Sequence, residues 1–494
     1  MEIQVLPLII VCAYLVGMLV VGFIVGKLKI KNSKDYMVAG RRMGLFMVAF
    51  SLSANNIGGG CTTGVASKAF GTWGMSAMWY VLACSVAMIP LAFFAPKIRK
   101  TLAITIPEVV GRRFGKLSSN FTAILSVFSL FCLTSSQILA SGSVISALIP
   151  AIPLNVCIVF AGIVIILYTT FGGMIADQIS DLVQFLIILV GLAIATPIVI
   201  KYAGGWQAIA AKLPAEKLSF TEIGWASIFG YIFQYICTFL VGPEMVTRFE
   251  TAKDEKTARN ASFLSAVLMA AMSVFPTLLG LAAFALKDQL PGVEDNPMMV
   301  VTGAFAPAII TGLVSAAIIC ATMSSADSNL LCMSTMIMND LYKGFGGKKE
   351  LTERQIIFWT RFCNVVGAVI AILIQFIYIN GHKLANDIIG LNTFAFGIRC
   401  AGPFAAYALG LVVPKATKNS GLISIIAGTV GFLVWNQWGA GVILMPVVFG
   451  CLVSVIAFFV VNWIEWARGV EPAPSAYLTE EEEAAVLAKE SQEM

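Results

Sequence analysis

Ala54-Asn55-Asn56-Ile57-Gly58-Gly59-Gly60-Cys61-Thr62-Thr63-Gly64 lies within an otherwise apolar stretch, residues 44–70, that is long enough to cross a bilayer. Two amides, two hydroxyls and four glycines in mid-span predict that the helix breaks there. A break frees backbone carbonyls. At membrane depth such groups persist only where they face protein or a watery cavity, and there they can coordinate a cation. The same small residues also suit close helix packing of the G-x-x-x-G kind. The stretch alone leaves both readings open.

The surrounding chain makes the membrane reading necessary. Of 494 residues, 59% are hydrophobic and only 12% charged, about half the charged share of an ordinary soluble domain. A mean hydropathy of +0.88 needs an apolar solvent around most of the chain. At about 20 apolar residues per crossing, the sequence divides into about thirteen segments: 3–26, 44–70, 72–95, 120–149, 154–174, 178–201, 224–247, 260–286, 299–340, 356–380, 384–413, 418–435 and 438–466. The first run is too long for a signal-peptide core and reads as a retained helix. The ninth is long enough to bend or tilt. Most Lys and Arg fall in the odd-numbered loops and the C-terminal tail. The other side holds only Lys68, Lys201, Lys212, Lys217, Lys287 and Lys383. By the positive-inside rule the N-terminus is expected outside and the tail in the cytosol of a multi-pass plasma (inner) membrane protein.

Several functions are excluded at this level. The net charge of +5 is dispersed, with no basic stripe to track a phosphate backbone, so nucleic acid is not a partner. The eleven cysteines contain no C-x-x-C pair and read as small buried hydrophobes. His382 is the sole histidine, and no nucleophile stands beside a base, so an enzyme is not expected. The expected organisation is a first helix and cytosolic loop (1–43), two five-helix groups (44–201 and 224–413), two C-terminal helices (414–466) and an acidic tail (467–494) in which Thr479 caps a short helix. An odd number of helices per group inverts the second copy relative to the first.

Four constellations carry chemistry. Ala321, Ser324, Ser325 and Ser328 share one face of the ninth segment, so a carbonyl and up to three hydroxyls point one way, which suits a hard monovalent cation; serines bonded back to the preceding turn are the alternative. Asp181 forms a polar stripe with Asp177 and Gln184, and intramembrane carboxylates default to function; Asp177, near the segment end, reads as wet. Asp327 lies off the serine stripe and is expected to serve a neighbouring helix. Arg399, on a face with Asn392 and Phe396, cannot shed its proton and needs an anion: either a substrate carboxylate or a structural pair with Asp327 or Asp387. Finally, Tyr231, Gln234, Tyr235 and Thr238 on the seventh segment, and Thr134, Gln137 and Ser141 on the fourth, form polar faces that either line a solute cavity or bond between helices.

Taken together, Asp35-Tyr36-Met37-Val38-Ala39-Gly40-Arg41, Ile106-Pro107-Glu108 with Arg113-Phe114-Gly115, Gly172-Gly173-Met174-Ile175-Ala176, Arg248-Phe249, Asn339-Asp340-Leu341-Tyr342 and Gly402-Pro403 resemble, in order and spacing, the sodium/solute symporter family. That family includes proline, pantothenate, sialic acid and sugar transporters, and the resemblance covers nearly all of residues 3–466. It implies an all-α membrane fold of the LeuT type, a five-plus-five inverted repeat with additional N- and C-terminal helices. It also implies a sodium site made of the backbone oxygens of Ala54, Ile57 and Ala321 and the hydroxyls of Ser324 and Ser325, with Asp181 beside it. Gly58 and Cys61 stand where some relatives place hydroxyls for a second sodium, so one ion is expected. The substrate is expected among Asn56, Gly58, Gly59, Gly60, Gln137, Tyr231, Gln234, Tyr235, Asn392, Phe396 and Arg399. The implied function is sodium-coupled import of a small organic solute by alternating access. A carboxylate-bearing solute (amino acid, monocarboxylate or related acid) is favoured over a sugar or other neutral solute, and a proton-coupled transporter or a channel ranks below both. The sequence does not specify the oligomeric state.

Overall fold

The computed structural model describes residues 5–29, 36–37, 39–342, 351–379, 388–439, 445–479 and 481–483. Among them every regular element is a helix, and the one β contact is an isolated bridge between Met43 and Ala252. The principal helices are α1 (Val5–Lys29), α2 (Leu45–Asn56), α3 (Trp79–Lys100), α4 (Ile106–Phe114), α5 (Lys116–Leu148), α6 (Leu154–Tyr202), α7 (Trp225–Leu240), α8 (Pro243–Thr251), α9 (Glu255–Met272), α10 (Val274–Ala285), α11 (Pro297–Phe305), α12 (Ala308–Met336), α13 (Glu353–Ile379), α14 (Ile388–Ala401), α15 (Lys418–Trp438) and α16 (Pro446–Ala467). His382 and Asp387 lie outside the described residues, so the proposed pairing of Arg399 with Asp387 does too.

The distribution of polarity is that of a bilayer protein. Large apolar side chains such as Phe46, Phe93, Phe160, Leu373, Ile456 and Trp463 face outward, while two arginines, Arg248 and Arg399, are 0% exposed. In water such an outer surface would be an aggregation hazard; against lipid it is solvated. Nine helices among the described residues are long and apolar enough to cross a membrane, or ten when the bent pair α7 and α8 is taken as one span. Two apolar helices, Leu154–Thr170 and Ile388–Ala401, are shorter. The expected count of about thirteen is therefore not reproduced by length and apolarity, because several spans are broken into pieces.

Each break has a local cause. α2 stops at Asn56, and Ile57 (φ −91°, ψ 67°) leaves the helical region before the chain winds again at Gly60–Gly64. α6 is interrupted at Gly173, whose φ of 60° is a left-handed conformation that favours glycine; this explains the glycine of the Gly172-Gly173 motif. α7 and α8 meet at 54° across Val241-Gly242, with Pro243 opening the second helix where its missing N–H costs nothing. The stretch 299–340, expected as one long segment, is two helices, because Pro307 disfavours helix at Ala306 (ψ 150°). At the far end of the chain Thr479 caps as expected: its backbone N–H and hydroxyl donate to Glu482, whose own N–H donates back to the Thr479 hydroxyl.

α12 is the central helix. It packs on α5, α6, α1 and α2, and every residue from Val314 to Met336 is buried. α9 packs on α2 and α3, and α14 packs on α5 and α7. The two broken spans, α2 with its continuation and α7 with α8, thus meet α12 and α14 in the interior. They stand first in the two expected five-helix groups, the position in which paired interruptions mark the site of inverted-repeat transporters.

Candidate ion and solute site at the two broken helices

The α2 break leaves an uneven supply of hydrogen bonds. Ile57 N–H donates to the Ser53 carbonyl, while the Gly58 carbonyl accepts from Cys61 and Thr62 N–H and the Gly59 carbonyl from Gly64 N–H. No backbone donor reaches the Ala54 or Ile57 carbonyl among the described residues, and these are two of the three carbonyls that the family resemblance assigns to the ion. α12 closes over them: the Ser325 hydroxyl donates to the Asn55 carbonyl at 2.7 Å and also lies 3.1 Å from the Ala321 carbonyl. The Ser324 hydroxyl donates to Asp181 Oδ1. A hydroxyl that gives its proton away keeps its lone pairs, so both serines remain oxygen ligands for a cation. The donor set is carbonyls and hydroxyls, hard and neutral, and it fits sodium, which here is cargo.

Behind Ser324 lies a buried charge cluster that is not evident from the sequence. Arg248 Nη2 donates to Asp181 Oδ2 at 2.8 Å, Asp177 Oδ2 at 3.1 Å and Ser328 Oγ at 2.5 Å, and its Nε donates to Ser51 Oγ at 2.8 Å. Ser51 passes its proton to Asp181 Oδ2 at 2.5 Å, and Ser328 bonds Asp177 Oδ1 at 3.0 Å. Asp177 is 1% exposed, which corrects its reading as wet. Ser51 and Arg248 bond Asp181 Oδ2 and Ser324 bonds Oδ1, so this carboxylate orients the serine and keeps one acceptor position on Oδ1.

Beside the break is a cavity of about 40 Å³ lined by Asn55, Asn56, Gly58, Gly60, Cys61, Tyr80, Leu133, Gln137, Tyr235, Phe239, Glu244, Ser325, Asn329, Asn392 and Phe396. That volume holds a few waters, so an organic solute requires the site to widen. Asn56, Gly58, Gly60, Gln137, Tyr235, Asn392 and Phe396 were expected here and are here. Gly59 is not: a Cβ on it would lie 2.4 Å from Ala140 Cβ, so it serves close packing, and its N–H is held by Gln137 Oε1 at 2.8 Å. Tyr231 stands one turn outward, its ring 5.7 Å from Tyr80 and 5.6 Å from Trp73. Gln234 is fully buried and does not line the cavity, and its amide has no hydrogen-bond partner among the described residues.

Arg399 is also absent from the cavity wall. Its two Nη groups hold both oxygens of Glu244, at 2.7 and 2.5 Å, and its guanidinium stands 5.0 Å from the Phe396 ring. The structural pair is thus with Glu244, not with Asp327, and it is Glu244 that reaches the cavity. Asn55, Tyr80, Phe239, Glu244 and Asn329 are lining residues that helical periodicity did not single out. Asn55 lies within the broken stretch itself and Tyr80 within segment 72–95, whereas Glu244 follows a Gly-Pro turn signal that marks the second break.

Gly60 gives a direct check. A Cβ there would lie 2.6 Å from Asn392 Nδ2 and 3.3 Å from Tyr80 Oη, and overpacking of this kind costs about 1–3 kcal/mol. Gly60→Ala is expected to raise the substrate KM roughly 5- to 100-fold while leaving the sodium concentration for half-maximal uptake unchanged, measured by initial rates of uptake.

The sodium:solute symporter family profile matches residues 36–428, and the chain belongs to that family. Its relatives include the osmoregulated proline transporter OpuE of Bacillus subtilis, 28% identical over 94% of this chain and 95% of that one. The high-affinity proline transporter PutP of the same organism is 26% identical over 90% and 95%. Among solved structures, a Na+-coupled sialic acid symporter in a substrate-bound outward-open state superposes with a TM-score of 0.77 at 22% identity, covering 95% of this chain and 98% of its own. A nucleobase-cation-symport-1 family transporter gives 0.59 at 16% identity, covering 93% and 98%. The chain therefore has the LeuT-type fold expected from its sequence.

Proposed function

We propose that this protein imports a small carboxylate-bearing solute, an amino or imino acid of proline's size, together with one sodium ion. The observation that carries the reading is the closure of α12 on the α2 break: Ser325 reaches the Asn55 carbonyl, Ser324 is fixed by Asp181, and two carbonyls beside them lack donors. Sodium held by Ala54, Ile57, Ala321, Ser324 and Ser325 fastens the broken helix to α12 and so shapes the adjoining cavity. Release of the ion toward the cytosol loosens both. The relatives named for proline favour the solute class. In this reading residues 44–201 and 224–413 are the two inverted repeats, the N-terminus lies outside and the tail is cytosolic, in the plasma membrane.

One sodium with a zwitterionic solute moves one net charge. At about 100 mV this is worth ~2.3 kcal/mol, near fifty-fold in concentration. Proteoliposomes with an inward sodium gradient should show L-proline uptake that is saturable, sodium-dependent and accompanied by inward current. Uptake equally fast in choline, at matched potential, would overturn the sodium assignment.

A further inference from the structure

From the geometry of the second break we infer that Glu244 is the subsite for a cationic nitrogen on the substrate, so that the transporter selects solutes bearing a protonated amine or imine beside their carboxylate. The inference rests on the symport reading above and names what that site recognises.

Among the described residues that line the cavity, Glu244 is the one with an acidic or basic side chain of the Asp, Glu, Lys, Arg or His type. It stands in the first turn of α8, immediately after the break at Gly242 and Pro243, and the fit there is tight: a Cβ on Gly242 would lie 3.1 Å from Glu244 Oε1 and 3.2 Å from Arg399 Nη2. Each carboxylate oxygen accepts one N–H from Arg399. An ionised carboxylate has about four acceptor positions, so two lone pairs remain after the guanidinium is bound, and no other described donor takes them. Arg399 is 0% exposed and pinned between Glu244 and the Phe396 ring. It therefore supplies countercharge from behind and fixes the plane of the carboxylate.

The consequence for recognition follows from charge and direction together. Because Arg399 neutralises Glu244, the site has little pull on a bare ion that offers no hydrogen. What it presents is a rigid pair of acceptor lone pairs, and the group that meets these is an N–H donor carrying positive charge. A carboxylate on the same solute finds only acceptor lone pairs at Glu244 and is directed to donors elsewhere on the wall, the Tyr80 hydroxyl and the Asn392 amide. The structure thus assigns Arg399 a positioning role and gives the substrate's nitrogen, not its carboxylate, the second broken helix.

The test uses the purified wild-type protein in sodium and pairs of matched solutes that differ at one position: L-proline against tetrahydrofuran-2-carboxylate, and L-alanine against L-lactate, with pyruvate and N-acetylneuraminate as further amine-free acids. Sodium-dependent thermal stabilisation is read for each. The expected result is that the amine-bearing member of whichever pair responds half-saturates at roughly 10- to 100-fold lower concentration. Parity within a pair, or stabilisation confined to the amine-free acids, overturns the inference while leaving sodium symport standing. Stabilisation by none of these in sodium overturns the symport reading and this inference with it. Glu244→Gln provides a second arm: retained stabilisation by sodium alone reports a folded protein, in which the preference for the amine-bearing member should fall below threefold. A preference unchanged in that folded variant also overturns the assignment.

Discussion

Arg248→Met should remove most of the folded protein from the membrane. The side chain is 0% exposed and bonds Asp181, Asp177, Ser328 and Ser51, so its loss leaves two carboxylates buried without a counterion. Breaking a buried pair from one side costs about 3–5 kcal/mol, a large part of the stability of an ordinary domain. Monodisperse yield in detergent and the apparent melting temperature should both drop sharply. The network also predicts its own rescue: Arg248→Met combined with Asp177→Asn and Asp181→Asn removes the uncompensated charge, and should recover much of the yield without recovering sodium-dependent uptake, because Ser324 then loses the carboxylate that orients it. Wild-type yield and melting in Arg248→Met alone would mean that the carboxylates are not held as ions by this arginine.

The second large effect is expected at the serine pair. Ser324→Ala with Ser325→Ala removes the two hydroxyls proposed to bind the ion and the bond between α12 and the Asn55 carbonyl. Interactions between a polar group and a charge are worth about 1.5–3 kcal/mol each, so losing two should raise the half-maximal sodium concentration for uptake at least ~100-fold. Ser324→Thr with Ser325→Thr keeps both hydroxyls and should restore most of the affinity. Because Asp181 keeps its bonds to Ser51 and Arg248, yield should fall far less than in Arg248→Met, which separates the two outcomes. Uptake with unaltered sodium dependence would detach these residues from the ion.

The contrast between these two predictions also shows what a single sequence can reveal about such a protein. The α2 break and the serine face were legible because each is local: glycines and amides interrupt a hydropathy plateau within a few residues, and three hydroxyls stand three, four and seven residues after Ala321 on one helical face. Asn392 and Phe396 followed from sharing a helical face with Arg399. The second break was less visible because hydropathy runs on through Val241 and Gly242, although Gly242-Pro243 is a turn signal. What periodicity does not encode is pairing between distant helices. Arg399 and Glu244 are 155 residues apart and Arg248 and Asp181 are 67 apart, so the sequence showed that Arg399 needs an anion without showing which one, and showed Arg248 only as part of a motif. The same limit explains Asp177, whose place near a segment end suggested water but whose tertiary surroundings supply an arginine and a serine.

The central claim is that one sodium ion joins the interrupted α2 span to α12. Equilibrium binding of radioactive sodium to the purified protein, with no solute present, tests it most directly. The account predicts one saturable ion per chain in the wild type, retained in Gly60→Ala and lost over the same concentration range in the Ser324→Ala, Ser325→Ala variant. Undiminished binding in that double variant would contradict it.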